Sequence, residues 1–178
     1  PGIRMQIKSA TSLQILTGLE DGSLDVGITY SDGVPDDLMR QDPLYDESYM
    51  LVAPKTLLSE PGDQATWFEA ASLPLSLLVP EMQNRRILDL HFTHLGVSPK
   101  VVAEVNAFSA SIMQVHAGFA ATIVPEVLVD SLEGADDLTI LPLTDPVLAK
   151  EISLVSPRRG PDLPTVSALR NLVLDQKS

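Results

Sequence analysis

The sequence predicts an α/β fold of two lobes, built from mainly parallel sheets with helices on both faces. Segments with strand alternation and segments with helical spacing follow one another along almost all of the 178 residues. The first part has too few strands for a sheet of its own, whereas a helix at the end of the chain could return to cover it. We therefore expect lobe I at residues 1–45 and 158–178, and an inserted lobe II at residues 46–157.

The first elements form a strand-helix-strand unit. Ile3–Lys8 alternates apolar and polar residues, which is typical of a strand with one wetter face. Thr11 and Gln14 have the spacing of a capping box before a Leu-rich helix, and Gly22 can take the left-handed conformation that ends it. Leu24–Tyr30 then follows as a short, mostly apolar strand. Such a unit favours a parallel sheet.

Beyond this unit the pattern of strands and helices restarts. Tyr49–Ala53 is an apolar strand that Pro54 ends, because proline cannot donate to a strand ladder. Further strands are predicted at Leu75–Val79, Val101–Val105, Ala121–Val124, Leu138–Leu143 and Ile152–Val155. Helices are predicted at Arg85–Leu95, Ser109–Ala117, Val127–Leu132 and Pro164–Val173. Open α/β sheets bind ligands at the carboxyl ends of their strands, so function is expected in the strand-to-helix loops.

The composition excludes several classes of function. Lys and Arg total 12 against 24 Asp and Glu, and the net charge of -12 would repel the phosphates of DNA. The absence of cysteine excludes disulfides, thiolate nucleophiles and cysteine-ligated metals, and is consistent with a cytoplasmic protein. No apolar run approaches the roughly 18 residues of a membrane-spanning helix. We therefore expect no membrane association and no direct DNA contact by this chain.

Motifs for catalysis, cofactors or metals are not evident. No Gly-x-Ser-x-Gly elbow, phosphate loop or dinucleotide fingerprint occurs, so no cofactor and no catalytic residue are predicted. His91 and His94 lie one helical turn apart without a carboxylate that would complete a zinc pattern, and His91 is expected on a helix face. Arg85 and Arg86 are expected on a solvated or interface-facing helix surface. No metal site is predicted.

Several motifs together resemble one known family. The run Ser12–Ile28 resembles the effector domain of LysR-type transcriptional regulators, with its Leu-rich helix, acidic-Gly turn and Leu-Asp-apolar strand. Met50–Pro54, Leu77–Pro80 and Val115–Pro125 follow in the order of that family. Ala120 stands where the last of these motifs usually has a second glycine.

The resemblance implies a fold, a partner and a mechanism. The fold would be the two-lobed, periplasmic-binding-protein-like (type 2) fold, with a small-molecule effector between the lobes. Effector binding would change the geometry of a homodimer or homotetramer, and thereby DNA binding by a helix-turn-helix domain upstream. That domain, and the family's first strand and helix of the effector fold, are expected to be missing from this chain. The helices at Leu13–Glu20 and Arg85–Leu95 are our candidates for the dimer contact.

The candidate effector contacts are the residues at the ends of the predicted strands. Thr11 and Ser12 begin a helix, where hydroxyls and backbone N–H groups can bind a carboxylate, and the resemblance implies effector contact at Ser12. Plain helix capping is the alternative role. Tyr30 is either a ligand contact or an ordinary rim aromatic, and Phe108 is either a ligand platform or a core residue. Lobe II supplies the rest of the set: Glu81, Met82, Gln83, Ala107, Phe108 and Ser109. An organic acid is the expected class of effector.

Two other functions fit the same pattern. A solute-binding protein of a transport system would share the two-lobed fold, and a secretory signal upstream would indicate it. An α/β enzyme is the third possibility, in which Asp36 or Asp37 would act in a cleft. Solvated loop charge explains these two aspartates more simply.

Overall fold

The computed structural model describes residues 4–58, 61–132, 137–158 and 163–175. The chain divides into two compact units, unit 1 (Pro1–Asp46 and Lys150–Ser178) and unit 2 (Glu47–Ala149). In chain order the elements are α1 (Ser12–Asp21), β1 (Gly27–Tyr30), β2 (Met39–Glu47), β3 (Tyr49–Pro54), β4 (Ala65–Thr66), α2 (Trp67–Ser72), β5 (Pro74–Leu78), α3 (Gln83–His94), β6 (Lys100–Val105), α4 (Phe108–His116), β7 (Thr122–Pro125), β8 (Leu138–Thr144), β9 (Lys150–Pro157) and α5 (Pro164–Asp175). Two short 3-10 helices lie at Lys55–Leu57 and Glu126–Leu132.

Unit 1 is built on a sheet of three strands in the order β1-β9-β2. β1 and β9 are antiparallel, with Gly27 opposite Val155. Helix α1 lies directly on this sheet, because a Cβ at Gly27 would stand only 2.4 Å from Cγ2 of Ile15. Leu19 of α1 is buried against Val155 in a core that also includes Val34 and Met39. Glycine at position 27 therefore permits the close approach of helix and strand.

The strand β9 belongs to unit 1, whereas the sequence analysis placed it within lobe II at residues 46–157. Its backbone pairs with β1 from Ile152, opposite Tyr30, to Val155. Helix α5 is anchored to the same unit by Arg170, which donates to Asp42 Oδ2 at 2.8 Å and to Ser156 Oγ at 2.7 Å. Strand pairing between distant segments leaves no local pattern, so the boundary could not be derived from periodicity. The predicted lobe boundaries otherwise stay a prediction.

The first predicted strand is not formed in the described residues. Arg4–Lys8 is exposed and has no strand assignment, and Ile3 lies outside the described residues. A strand exists only where a neighbour satisfies its backbone N–H and C=O groups. In the described part of the chain, no ladder includes this segment. The alternation of apolar and polar residues was therefore insufficient to predict a strand here.

Unit 2 has mixed sheets, which corrects the expectation of mainly parallel ones. β3 is antiparallel to both β7 and β8 in the sheet β4-β8-β3-β7, whereas β4 and β8 are parallel. β5 and β6 are parallel, and a parallel bridge joins Leu75 of β5 to Ala121 beside β7. The helix α3 connects β5 to β6, as the crossover between parallel neighbours requires. The sequence analysis counted such crossovers and did not anticipate the antiparallel pairing of β3.

The core of unit 2 has two parts. One is a cluster of aliphatic side chains under α4, comprising Val52, Val115, Val124, Leu132 and Leu138. The other surrounds Trp67, which is fully buried in the short helix α2. The sequence analysis assigned neither α2 nor β4. A local signal was available, because Thr66 and Glu69 form a complete capping box at the start of α2.

Candidate functional site

The start of α1 holds two of the predicted effector contacts. Thr11 is the N-cap residue, and its hydroxyl accepts a hydrogen bond from the Gln14 amide at 3.2 Å. The Gln14 side chain in turn accepts from the Thr11 amide at 2.9 Å, which confirms the predicted capping box. Gly22 ends the helix with a φ of 77°. Thr11 therefore has the capping role that was weighed against ligand binding, and its role toward an effector stays a prediction.

Ser12 is not needed as a cap, and its hydroxyl has a different partner. The Thr29 hydroxyl of β1 donates a hydrogen bond to Ser12 Oγ at 2.8 Å. Ser12 is the first residue of α1, where the backbone N–H groups have no acceptor inside the helix. No acidic residue lies in this first turn. The local field is therefore that of a helix N-terminus, which favours an anion.

A second pair of hydroxyls lies beside the first. Ser153 of β9 is opposite Thr29 in the ladder, and its Oγ lies 2.7 Å from Oγ of Ser31. Ser153 is fully buried and Thr29 is 5% exposed. The sequence analysis selected none of Thr29, Ser31 and Ser153. The only available signal was their alternation along the strands, which indicates a shared face without indicating its neighbours.

Tyr30 does not join this group of hydroxyls. It is the last residue of β1 and is half-buried, opposite Ile152 of β9. Successive side chains of a strand point to opposite faces, so Tyr30 faces away from the side on which Thr29 meets Ser12. The side chain of Tyr30 is therefore not on the α1 side of the sheet. Its contact with an effector stays a prediction.

In unit 2, the first group of predicted contacts begins α3. Glu81 is exposed, and Met82 is the N-cap residue but makes no capping hydrogen bond through its side chain. The Met82 amide donates to the Val79 carbonyl at 3.0 Å, which forms the turn between β5 and α3. Gln83 is the first residue of the helix and is half-buried. The structure thus places these three residues at the carboxyl end of a strand, as predicted.

Arg85 is a buried residue next to this turn, so the expectation of a solvated or interface-facing position was wrong for it. Its Nη1 donates to the Leu78 carbonyl at 2.7 Å and to Glu104 Oε1 at 2.8 Å, and its Nε donates to Asp89 Oδ1 at 2.8 Å. It thereby ties α3 to the ends of β5 and β6. The pKa of Arg85 is raised: burial opposes the charge, and the hydrogen bonds and charges of Asp89 and Glu104 outweigh that penalty.

The second group of predicted contacts in unit 2 begins α4. Ala107 is the N-cap residue and cannot cap with its side chain, so the first N–H groups of α4 receive no such bond. Phe108 is half-buried against the aliphatic cluster under α4, in agreement with its alternative role as a core residue. Ser109 is exposed. Ala107 and Ser109 therefore lie together at an open helix start.

The described histidines and acidic residues offer no metal-binding group. Among the described residues, no group of three or more His, Asp or Glu could hold a metal ion. Asp36 and Asp37 are exposed, and Asp36 Oδ1 accepts from Gln41 Nε2 at 2.7 Å. His91 lies on one face of α3, where its ring packs against Trp67. No helix of the described chain has the length and apolarity needed to cross a membrane.

A cavity of about 270 Å³ lies in unit 2. Its lining includes Leu51 and Leu141 of the sheet and Glu69 of α2. None of the predicted effector contacts lines it. The cavity is thus separate from the helix starts of α3 and α4.

Comparisons with known proteins identify a family for this chain. The chain matches the family described as the LysR substrate binding domain over residues 1–178. A probable nitrogen assimilation transcriptional activator of Synechococcus elongatus is 25% identical over 179 residues, which cover 97% of this chain and 56% of that protein. The chain therefore spans little more than half the length of this relative.

Solved structures show the same fold. The regulatory domain of Synechocystis PCC6803 CcmR, in complex with 2-PG, has a TM-score of 0.85 at 14% identity and covers 99% of this chain and 84% of that chain. The effector binding domain of QuiR, in complex with shikimate, has a TM-score of 0.79 at 18% identity and covers 94% of this chain and 78% of that chain. The predicted α/β fold of the periplasmic-binding-protein-like (type 2) class is confirmed.

Proposed function

The chain belongs to the family of LysR substrate-binding domains, and from this premise we propose that it is the effector-sensing part of a transcriptional regulator. The family match over residues 1–178 is the observation that supports this proposal. The relative from Synechococcus elongatus is named as a transcriptional activator, which favours a regulator over a solute-binding protein of a transport system. No catalytic step is part of the proposal.

The proposed effector is a small organic acid. In unit 1, the acid would be bound by Ser12 and by the N–H groups at the start of α1, with Thr11 holding the helix end in shape. In unit 2, the contacts would come from the starts of α3 and α4, through Glu81, Met82, Gln83, Ala107, Phe108 and Ser109. Helix starts suit anions, and one of the similar structures holds shikimate, a carboxylate.

The effector would act by selecting between conformations of the regulator. A ligand shifts such an equilibrium only by its difference in affinity for the two states, so binding alone is insufficient. DNA would be contacted by a different domain of the regulator, since the net charge of -12 makes this chain a poor partner for the polyanionic backbone of DNA.

We further propose that this chain takes part in self-association. Leu13 of α1 is 67% exposed and Leu90 of α3 is 58% exposed, so both predicted helices present a large apolar side chain to solvent. A contact with a second copy would remove both side chains from water. The copies would pair as a homodimer, or as dimers within a homotetramer.

The proposal is tested by a thermal-shift screen of organic acids against the full-length protein, followed by DNA-binding titrations with each acid that raises the melting temperature. Selective binding to the folded state raises that temperature. We expect at least one acid to do so and to change DNA affinity, and Ser12→Ala to remove both effects. Thr17→Ala, on an exposed position of the same helix, is the matched control and should keep both. Acids that bind without any change in DNA affinity would contradict the sensing role.

A further inference from the structure

The hydroxyl of Ser12 is held in one direction by its neighbour. Thr29 Oγ1 donates its hydrogen to Ser12 Oγ at 2.8 Å. A hydroxyl has one hydrogen and two lone pairs, so the hydrogen of Ser12 must point away from Thr29 when Thr29 occupies a lone pair. We propose that Thr29 is a positioning residue that makes Ser12 a hydrogen-bond donor toward the effector. This inference rests on the proposed function and specifies the chemistry of the same site.

Thr29 is well placed for such a role because its own freedom is small. Its backbone lies in β1, in register with Ser153 of β9. Its side chain is 5% exposed, and β-branching restricts its first side-chain torsion. The position of the Thr29 hydroxyl is therefore fixed by its strand, and the Ser12 hydroxyl orients relative to it.

Capping does not account for the Ser12 hydroxyl. Thr11 already accepts from the amide of Gln14, so the orphan amide that a capping side chain serves is satisfied. Ser12 lies one residue later, as the first residue of α1. Its hydrogen is thus available to a molecule at the helix start.

The consequence is a site that prefers acceptor atoms. The Ser12 hydrogen and the N–H groups of the first turn of α1 are all donors, and the first turn carries no carboxylate that would compete with an anion. A carboxylate, phosphate or carbonyl oxygen of the effector would be bound there. An amide N–H or an ammonium group in the same place would find only the second lone pair of Ser12 as an acceptor and would face the N–H groups of the helix start, so it would bind more weakly.

The direction of the hydrogen bond is tested without any effector. Neutron diffraction from crystals of the perdeuterated full-length protein locates hydroxyl deuterons. We expect the Thr29 deuteron on the line to Ser12 Oγ and the Ser12 deuteron directed elsewhere. A Ser12 deuteron lying between the two oxygens would overturn the proposal.

The consequence for recognition is tested with succinate, its diamide succinamide, and inorganic phosphate as probes, by calorimetric and NMR titration of the full-length protein. Thr29→Val keeps the shape and removes the donor, and we expect it to weaken succinate binding on the order of fivefold. It should also reduce the preference for succinate over succinamide. Thr29→Ser restores the donor and should restore both properties.

Two further variants separate positioning from a merely structural role. In a Ser12→Ala background, Thr29→Val should have no further effect on succinate affinity, because the two residues act as one unit. Ser31→Ala is the matched control, since it breaks the neighbouring hydroxyl pair with Ser153 and leaves Ser12 untouched. Equal losses from Thr29→Val with and without Ser12, or no rescue by Thr29→Ser, would refute positioning.

Different experimental results would contradict the proposed function and this inference. A wild-type protein in which neither succinate nor phosphate shifts the amide signals of α1 would contradict an acid site at this helix start. The neutron result would still decide whether Thr29 directs the Ser12 hydroxyl.

Discussion

The imidazole of His91 meets the indole of Trp67 edge-on, with ring centroids 4.4 Å apart and an interplanar angle of 64°. Within the described residues, the Nε2 atom of His91 is buried without a hydrogen-bond partner. The pKa of His91 is lowered, first by burial and then by the positive charge of His94. His91 is therefore held as a neutral aromatic residue.

Acid should weaken unit 2 through His91. The pKa of a histidine in an unfolded chain is about 6.5, whereas the pKa of His91 in the folded chain is lower. The unfolded state therefore binds more protons as the pH falls through this value, and stability decreases. Melting followed by the fluorescence of Trp67, the single tryptophan, should show a lower midpoint at about pH 5.5 than at about pH 7.5.

The matched variants identify the residue responsible. His91→Phe keeps a ring against Trp67 and removes the titration, so the difference between the two pH values should shrink. His94→Gln removes only the smaller cause of the shift and should leave most of the difference in place. An unchanged pH dependence in His91→Phe would show that other groups are responsible.

Replacing Arg85 should cost more stability than replacing its neighbour Arg86. Arg85→Met leaves the Leu78 carbonyl without its donor and removes two ion pairs, and we expect a loss of about 1 to 3 kcal/mol. Asp89 and Glu104 are partly exposed and can be hydrated again, which limits the loss. Arg86 is exposed and donates to the backbone carbonyls of Pro80 and Glu81 at 3.1 and 3.3 Å. Urea denaturation should thus rank Arg86→Met close to wild type, and equal losses would contradict the anchoring role of Arg85.

Replacing Trp67 by a smaller ring without a hydrogen-bond donor should lower the stability of unit 2. Trp67 Nε1 donates to the Pro146 carbonyl at 2.9 Å, and the side chain is fully buried. Trp67→Phe should therefore cost about 2 to 4 kcal/mol, measured by circular dichroism during denaturation. Phe68, the next residue, is 56% exposed, and Phe68→Leu should stay within about 0.5 kcal/mol of wild type. Similar losses in the two variants would argue against this packing.

The N-cap of α1 should contribute measurably to unit 1. Thr11→Ala removes the hydroxyl that accepts from Gln14 and should cost about 1 kcal/mol of helix stability. Hydrogen exchange of the amides in the first turn is the direct measurement, because Thr11→Ala should expose the Gln14 amide first. Thr17→Ala, which is exposed inside the helix, should leave this exchange unchanged. Protection that persists in Thr11→Ala would mean that another group caps the helix.

Self-association should depend on the apolar side chains that α1 and α3 expose. Leu13→Glu and Leu90→Glu should each weaken association of the full-length protein by about tenfold or more, as measured by analytical ultracentrifugation. Val147→Glu is the control, since Val147 is 68% exposed and lies on neither helix. Association that is weakened equally by all three changes, or by none, would remove these helices from the proposed contact.

The sequence alone determined the features that depend on local patterns. The capping box of Thr11 and Gln14, the left-handed Gly22, and most strands and helices follow from spacing and turn chemistry between residues close in the chain. The ordered motifs between Ser12 and Pro125 sufficed for the family, because a family is defined by such residues and their order. The alternation of apolar and polar residues at Arg4–Lys8 did not predict the structure correctly, because a strand also needs a neighbouring strand to pair with.

Only the tertiary structure decided which distant residues meet. The pairing of β9 with β1, the hydrogen bond from Thr29 to Ser12, and the hydrogen bonds from Arg85 to Leu78 and Glu104 join different elements of the fold. A strand pattern shows which side chains share a face but not which helix covers that face. For the same reason, helical spacing could not show that Arg85 turns toward the ends of two strands. Contacts of this kind arise from packing, and packing depends on the whole fold.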